Sequence, residues 1–252
     1  MRAVLTYHSI DTSGSAISID EATLQRHVDF LAASRVRVAP LDELVSAEDD
    51  ADVVALTFDD GFENFATAAW PRLRAAGLPA TVFVVTDRVA TDNEWDGRPE
   101  RGIPSLPLMA WETLGRLVEE GLDVGSHTRT HRRLTSVCDV ELDAEFVESQ
   151  ECIRRELGVT PRSVAYPYGD HDARVRAAAA RVYASAWTTE LGTLPHVVDA
   201  HQLPRLDAYY VREPSRMESF GSRGFSAYIA RRALLRRVKA RLGPAVIRGS
   251  SS

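Results

Sequence analysis

Two short clusters of ionisable side chains could do chemistry together. Leu56-Thr57-Phe58-Asp59-Asp60-Gly61 ends an apolar run in adjacent carboxylates, and His127-Thr128-Arg129-Thr130-His131 spaces two imidazoles four residues apart. One aspartate and two neutral imidazoles suit zinc and its first-row neighbours, whereas calcium or magnesium favours an all-oxygen cage. Three protein ligands leave a position where water can be polarised toward a carbonyl, and the aspartate outside the set is then free to act as general base. Each cluster has a plainer use by itself. Asp-Asp-Gly is a common turn, and His-x-x-x-His without the Glu of the His-Glu-x-x-His pattern is usually solvated. Their joint placement at strand ends favours the catalytic reading.

That placement follows from the flanking residues. Val53 to Phe58 is a short, β-rich apolar run consistent with a buried strand whose carboxyl end opens at Asp59, and Gly61 permits a tight turn just beyond. Leu122 to Ser126 likewise runs as a strand into the histidine cluster. In α/β barrels the carboxyl ends of the strands carry the chemistry.

The residues then carry a resemblance. Thr57-Phe58-Asp59-Asp60-Gly61 and Ser126-His127-Thr128-Arg129-Thr130-His131 resemble the first two motifs of the NodB-homology polysaccharide deacetylases, carbohydrate esterase family 4, and Ala165-Tyr166-Pro167-Tyr168-Gly169 is similar to the third. The likeness extends from Leu5 to about Arg205. It implies an α/β fold, a distorted (β/α) barrel of about seven strands, over residues 1–215. It also implies Asp59 as general base, Asp60 as carboxylate ligand, His127 and His131 as imidazole ligands, and zinc as the expected metal. The substrate class it implies is an N-acetylated sugar. The oxyanion formed by attack on the acetamide would be held by the metal and by the backbone amide of Tyr168, in a turn where Tyr166 and Pro167 would also meet the substrate.

Two departures from the family pattern matter. Ala165 stands where the third motif usually has an Arg that orients the catalytic Asp, and Arg205 in Leu203-Pro204-Arg205 is the candidate replacement. The late Leu-x-His motif is missing, and His196 and His201 lie in that region without its context. His8, at the mouth of the strand Ala3 to Tyr7, is the candidate acid that protonates the leaving amine. An amino-terminal Tyr-His in this role resembles a circularly rearranged branch associated with poly-N-acetylglucosamine deacetylases.

Alternation of strands and helices continues along the chain. Ser18-Ile19-Asp20-Glu21 reads as a capping box opening a helix through Leu24, Val28 and Leu31. Arg35 to Ala39 reads as a strand, Glu63 to Ala76 as a helix ended near Gly77, and Ala80 to Val85 as a further strand. Ser163 to Tyr166 and Tyr183 to Trp187 supply later ones. Between Thr86 and Leu108, Asp, Asn, Gly and Pro are frequent, which predicts a long loop over the mouth. Trp95 in that loop could stack on a sugar ring, whereas Trp111 opens a helical pattern and belongs to the scaffold. Leu142, Phe146, Ile153 and Leu157 make one core stripe.

Composition is consistent with one packed catalytic unit: 252 residues, 44% hydrophobic and 26% charged. Cys138 and Cys152 are too few for a disulfide framework and read as free, structural thiols. Met1-Arg2 leads directly into a strand pattern, so a cytoplasmic placement is expected, with a soluble or lipid-linked sugar precursor as substrate. The formal net charge of −6 divides into −14 for the body and +8 for the stretch from Ser219 onward. That stretch carries Arg223, Arg231, Arg232, Arg236, Arg237, Lys239, Arg241 and Arg248 without an acidic residue. Residues 216–252 thus form a basic carboxyl-terminal region. Its helix, from about Phe225 to Leu242 with Leu234, Leu235, Val238 and Leu242 along one side, could lie on an anionic membrane or close the barrel. Nucleic acid is not expected, because the acidic body would repel it.

The function expected is therefore a metal-dependent hydrolase that removes N-acetyl groups from an amino sugar, glycan or lipid-linked precursor. The alternatives are an O-acetyl esterase or deformylase on the same metal site, or an impaired carbohydrate-binding protein.

Overall fold

Short apolar runs separated by helical patterns need cover on both faces, and a parallel sheet closed inside a coat of helices supplies it. The computed structural model describes residues 1–46, 52–197 and 199–242. The chain opens with β1 (Arg2–Tyr7), β2 (Ser9–Ile10), β3 (Ser18–Ile19), α1 (Glu21–Ala33), β4 (Arg37–Val38), α2 (Leu41–Ser46) and β5 (Val53–Phe58). A π turn (Phe65–Ala69), α3 (Trp70–Ala75), β6 (Thr81–Val84), α4 (Trp111–Glu119), β7 (Asp123–Ser126) and α5 (Asp139–Leu157) follow. The remainder is β8 (Ser163–Ala165), α6 (Ala173–Ala179), β9 (Ser185–Leu191), β10 (Leu203–Asp207), α7 (Pro214–Glu218) and α8 (Arg223–Leu242).

Strands β1, β5, β6, β7, β8, β9 and β10 close a seven-strand parallel barrel, the fold that the resemblance implies. Its distortion has a visible source. β4 pairs with Val53 and Val54 low on β5, while β6 pairs only with Thr57 and Phe58 at the top, so β4 fills the gap where β5 and β6 part.

Both faces of β1 and β5 are buried at every position. Alternation divides them: Val4, Val53 and Ala55 belong to the barrel interior with Phe83, Ala165, Trp187 and Leu203, while Leu5, Val54, Leu56 and Phe58 face the helices. Thr6 lies opposite Thr57 in the β1–β5 register, and their hydroxyls meet at 3.1 Å inside the barrel. One alternation further on, His8 and Asp59 must share the inner rim.

The helices depart from the sequence reading in two places. Helix α1 is capped by Asp20, whose carboxylate accepts from the Thr23 amide at 2.6 Å. Ser18 does not cap it, because Ser18 and Ile19 are drawn into pairing with β2. The stretch from Glu63 to Ala76 is not one regular helix: Pro71 has no amide to donate, and the turn before it widens so that the Trp70 amide reaches the Phe65 carbonyl. The thiols are also less buried than structural cysteines would be, with Cys138 exposed at the cap of α5 and Cys152 half-buried. Arg248 lies outside the described residues. Among those described, no helix is long and apolar enough to cross a membrane.

Candidate active site

Asp59 ends β5 with its amide on the Tyr7 carbonyl at 2.9 Å, which ties the rim of β5 to that of β1. The backbone then turns through Asp60 (φ 73°) and Gly61 (φ 79°), both left-handed, and the two carboxylates separate to different partners. At Asp60, a residue with a Cβ is held in a conformation that costs of order 1 kcal/mol or more, a strain typical of functional turns.

Asp59 faces Arg205. The guanidinium donates from Nη1 to Oδ1 and from Nη2 to Oδ2, both at 2.8 Å, and its Nε–H donates to the Thr188 carbonyl at 2.9 Å. Both side chains are buried. Burial by itself would raise the Asp59 pKa, but the charge and hydrogen bonds of Arg205 together with the nearby His127 and His8 imidazoles outweigh it and hold the carboxyl below the usual carboxylate range. His8 Nε2 is 3.7 Å from Asp59 Oδ2, with the imidazole still partly open to the cleft. Ala165 contributes no side-chain contact of this kind. It packs in the barrel interior, and its carbonyl accepts the Nδ1–H of His127 at 2.8 Å.

That bond settles the tautomer of His127: with Nδ1 donating to a carbonyl, Nε2 is left as a lone pair aimed at Asp60. The Nε2 atoms of His127 and His131 each lie 3.4 Å from Asp60 Oδ1. The ligand atoms of these three residues lie within 4.8 Å of one another. Asp60 Oδ1 is nonetheless buried without a hydrogen-bond partner among the described residues. An unsatisfied carboxylate oxygen facing two imidazole nitrogens is the arrangement a metal ion would satisfy, so these residues fit a divalent cation.

His131 stands farther from its strand than His127 and depends on the loop. Thr128 and His131 are both left-handed (φ 66° and 64°). The loop is tied to α5 by the Glu145 carboxylate, which accepts the Arg129 amide at 3.0 Å, the Thr130 amide at 2.9 Å and the Thr130 hydroxyl. Glu145 is a functional residue that the sequence reading passes over. Its signal is a carboxylate three positions from Leu142 on the buried stripe, where an acid needs a special partner.

The mouth loop is bound to the acid motif rather than hanging free. Glu63 and Met109 amides reach the Pro107 and Gly61 carbonyls, and buried Asn93 clasps the loop through Leu106 and Pro104. Trp95 is thereby set against the Asp60–His127–His131 cluster, its ring stacked on His131 at 4.1 Å between centroids. His8, Asp59, Asp60, Trp95, His131 and Tyr168 line one cleft. Tyr168 sits left-handed at φ 59° with its ring edge on His131, and Arg133 lies 4.4 Å over its face. Burial, with the nearby Glu100 and Asp96 charges, pushes its phenol up to about 12. Tyr166 lies in the wall of the cleft but is fully buried, and its hydroxyl donates to the His201 carbonyl at 3.0 Å. Pro167 is buried at the start of the same turn. His201 is turned away toward the Tyr183 carbonyl.

The sequence profile of the polysaccharide deacetylases matches residues 46–186, more than half of the chain. The chain belongs to the polysaccharide deacetylase family. Among curated relatives, chitin deacetylase 1 of Cryptococcus neoformans is 33% identical over 133 residues, which are 53% of this chain and 24% of that protein. The chain spans only part of the length of most of the curated relatives it matches, 33% for the chitin deacetylase of Amylomyces rouxii. Two solved structures share the fold. The Streptococcus pyogenes deacetylase PplD in complex with acetate matches with a TM-score of 0.71 and 19% identity, covering 82% of this chain and 91% of that one. IcaB from Ammonifex degensii matches at 0.70 and 21%, covering 86% and 96%.

Proposed function

We propose that the protein is a metal-dependent deacetylase that hydrolyses the acetamide of an N-acetylated amino sugar, within a glycan or on a lipid-linked precursor. The observation that carries this reading is the division of labour between adjacent carboxylates: Asp59 is locked ionised on Arg205, and Asp60 is left unsatisfied between two imidazoles. Asp60, His127 and His131 would hold the ion, with zinc the best match to an Asp-His-His donor set, and the ion would polarise the acetamide carbonyl and the attacking water.

The chain's own groups account for the protons. Asp59 takes the proton from water as its oxygen adds to the carbonyl carbon. The backbone amide of Tyr168 is the proposed donor to the oxygen that gains charge, a role for which such groups can be worth roughly 3 kcal/mol. When the carbon–nitrogen bond breaks, His8 delivers a proton to the amine, leaving acetate and a free amino sugar. Trp95 would border the sugar, and the buried Tyr166 and Pro167 would shape the turn that presents the Tyr168 amide.

The test is acetate release from short N-acetylglucosamine oligomers and from a lipid-linked N-acetyl sugar, before and after chelation and zinc restoration. Release that is lost on chelation and regained with zinc is expected. Silence on both substrates with metal bound would overturn the reading and leave another acyl group or a binding role. His8→Ala is expected to slow amide hydrolysis about 100-fold while slowing hydrolysis of an activated ester much less, since that leaving group needs no proton. Equal losses on the two substrates would remove His8 from the acid role.

A further inference from the structure

Helix α8 carries two apolar faces, and only one of them is covered. Phe225 and Ile229 are buried in the outer core of the barrel, with Tyr228 and Ala233 packed against it. On the opposite side of the same helix, Leu234, Leu235 and Val238 are 62%, 50% and 44% exposed. Scattered single apolar residues on a surface need no explanation, but three that are neighbours on one helical stripe do.

The direction of the helix places this stripe. Gly221, just before α8, lies against the carboxylate of Asp52, which also binds the amino terminus at 2.7 Å, so the helix starts at the amino end of the barrel strands. One turn into the helix the Tyr228 hydroxyl donates to the Tyr210 carbonyl at 3.0 Å, and the Arg232 guanidinium lies 5.0 Å over the Tyr210 ring. Tyr210 belongs to the turn (Ala208–Tyr210) that leaves the carboxyl end of β10, the end of the barrel at which Asp59 and the cleft also lie. A helix rises about 1.5 Å per residue, so the segment from Leu234 onward runs past the rim on the end where the catalytic mouth opens.

The charge of that segment is of one sign. Arg231 shares the exposed stripe with Leu234, Leu235 and Val238, Arg237 and Lys239 flank it, and α8 has no acidic residue from end to end. An apolar stripe bordered on both sides by cations complements a surface that has negative charge above an apolar interior. Arg231, which would be out of place in a protein core, can lay its methylenes along the stripe and keep its guanidinium among phosphates.

We propose that residues 231–239 dock on an anionic lipid surface and hold the catalytic mouth toward it. Binding itself is independent of the activity argued above. Only its consequence, a preference for sugars displayed at the membrane, rests on that reading.

The experiment is sedimentation of the full chain with vesicles of phosphatidylcholine, with and without phosphatidylglycerol. Binding to the anionic vesicles alone, weakened by added salt, is expected. Leu234→Gln/Leu235→Gln/Val238→Gln and, separately, Arg231→Gln/Arg237→Gln/Lys239→Gln should each lower vesicle affinity more than about tenfold and leave hydrolysis of soluble substrate unchanged. Orientation is read with a fluorophore on Arg101→Cys, at the mouth loop, or on Arg35→Cys, at the opposite end, each in a Cys138→Ser/Cys152→Ser background. A quencher carried by the lipids should reach the first and spare the second. No vesicle binding by the full chain, variants that bind as well as the original, or stronger quenching at residue 35 would overturn the proposal. So would a stable dimer without lipid that the Leu234→Gln/Leu235→Gln/Val238→Gln variant abolishes, since the stripe would then belong to a second copy.

Discussion

The two halves of the site are held in different ways. On the Asp59 side, each group is carried directly by a barrel strand: Asp59 follows the last residue of β5, His8 follows the last residue of β1, and Arg205 lies within β10, with the ion pair buried and bidentate. On the His131 side, the ligand lies several residues beyond β7. It is kept in place by left-handed backbone, a carboxylate from α5 and a stacked indole from the mouth loop. The difference teaches that the groups proposed to transfer protons stand on the barrel strands, while His131, a proposed metal ligand, and the Trp95 wall of the cleft share a loop surface that can adjust.

The rigid half should fail hardest. Asp59→Asn is expected to lower turnover roughly 10²–10⁴-fold while the ion remains bound, because Asp60, His127 and His131 are untouched. His127→Ala should lose both. Steady-state rates beside metal content of the purified variants separate these outcomes, and metal loss in Asp59→Asn would show that the two carboxylates are not divided in this way.

Arg205→Leu comes next. It leaves Asp59 buried without its counter-charge, which should cost about 3–5 kcal/mol of stability by denaturant unfolding. Arg205 holds the Asp59 pKa down. Without it the pKa rises, and the acid limb of the kcat/KM profile should move to higher pH in whatever enzyme remains folded. Arg205→Lys should rescue little, since an ammonium cannot make the two parallel bonds. An unmoved acid limb in a folded variant would mean that Asp59 is not the group titrating.

These residues also mark how far the sequence could be read. Val53–Phe58 was legible to the residue because an apolar, β-branched run between polar segments has few alternatives. β10 carries no such signal. Pro204 interrupts it and Arg205 breaks its apolar face, yet Pro204 is accepted where the pairing with β9 is irregular. Arg205 could be nominated from its place in the chain, but its bond to Asp59 requires β10 and β5 to flank β1, which local patterns do not encode. The same holds for His8, whose nearness to Asp59 is a consequence of register. Glu145 shows the opposite case: the helix was legible, and the carboxylate on its buried stripe was the sign that something beyond packing was needed there.

The adjustable half should fail more gently. Glu145→Gln keeps an acceptor but gives up the charge that gathers the Arg129 and Thr130 amides, so the His131 loop should loosen. About a tenfold loss of metal affinity, read by competition with a chelator, is expected, within the range for groups that orient ligands. The catalytic rate at saturating metal should change less. A rate loss that saturating metal does not restore would place Glu145 nearer to the chemistry than its contacts indicate.

Trp95→Ala should have the smallest effect and discriminates most finely between ligand support and substrate contact. Its ring covers His131 on one side and borders the cleft on the other. If it mainly meets the sugar, KM should rise roughly 3–10-fold, the worth of one aromatic contact, with kcat and metal affinity nearly constant. If it mainly braces the ligand, metal affinity falls and KM stays. Trp95→Phe separates the two further, because a smaller ring can still stack on an imidazole but covers less of a pyranose. Restored metal affinity with KM still raised would assign the indole to the substrate and leave the brace to any aromatic ring.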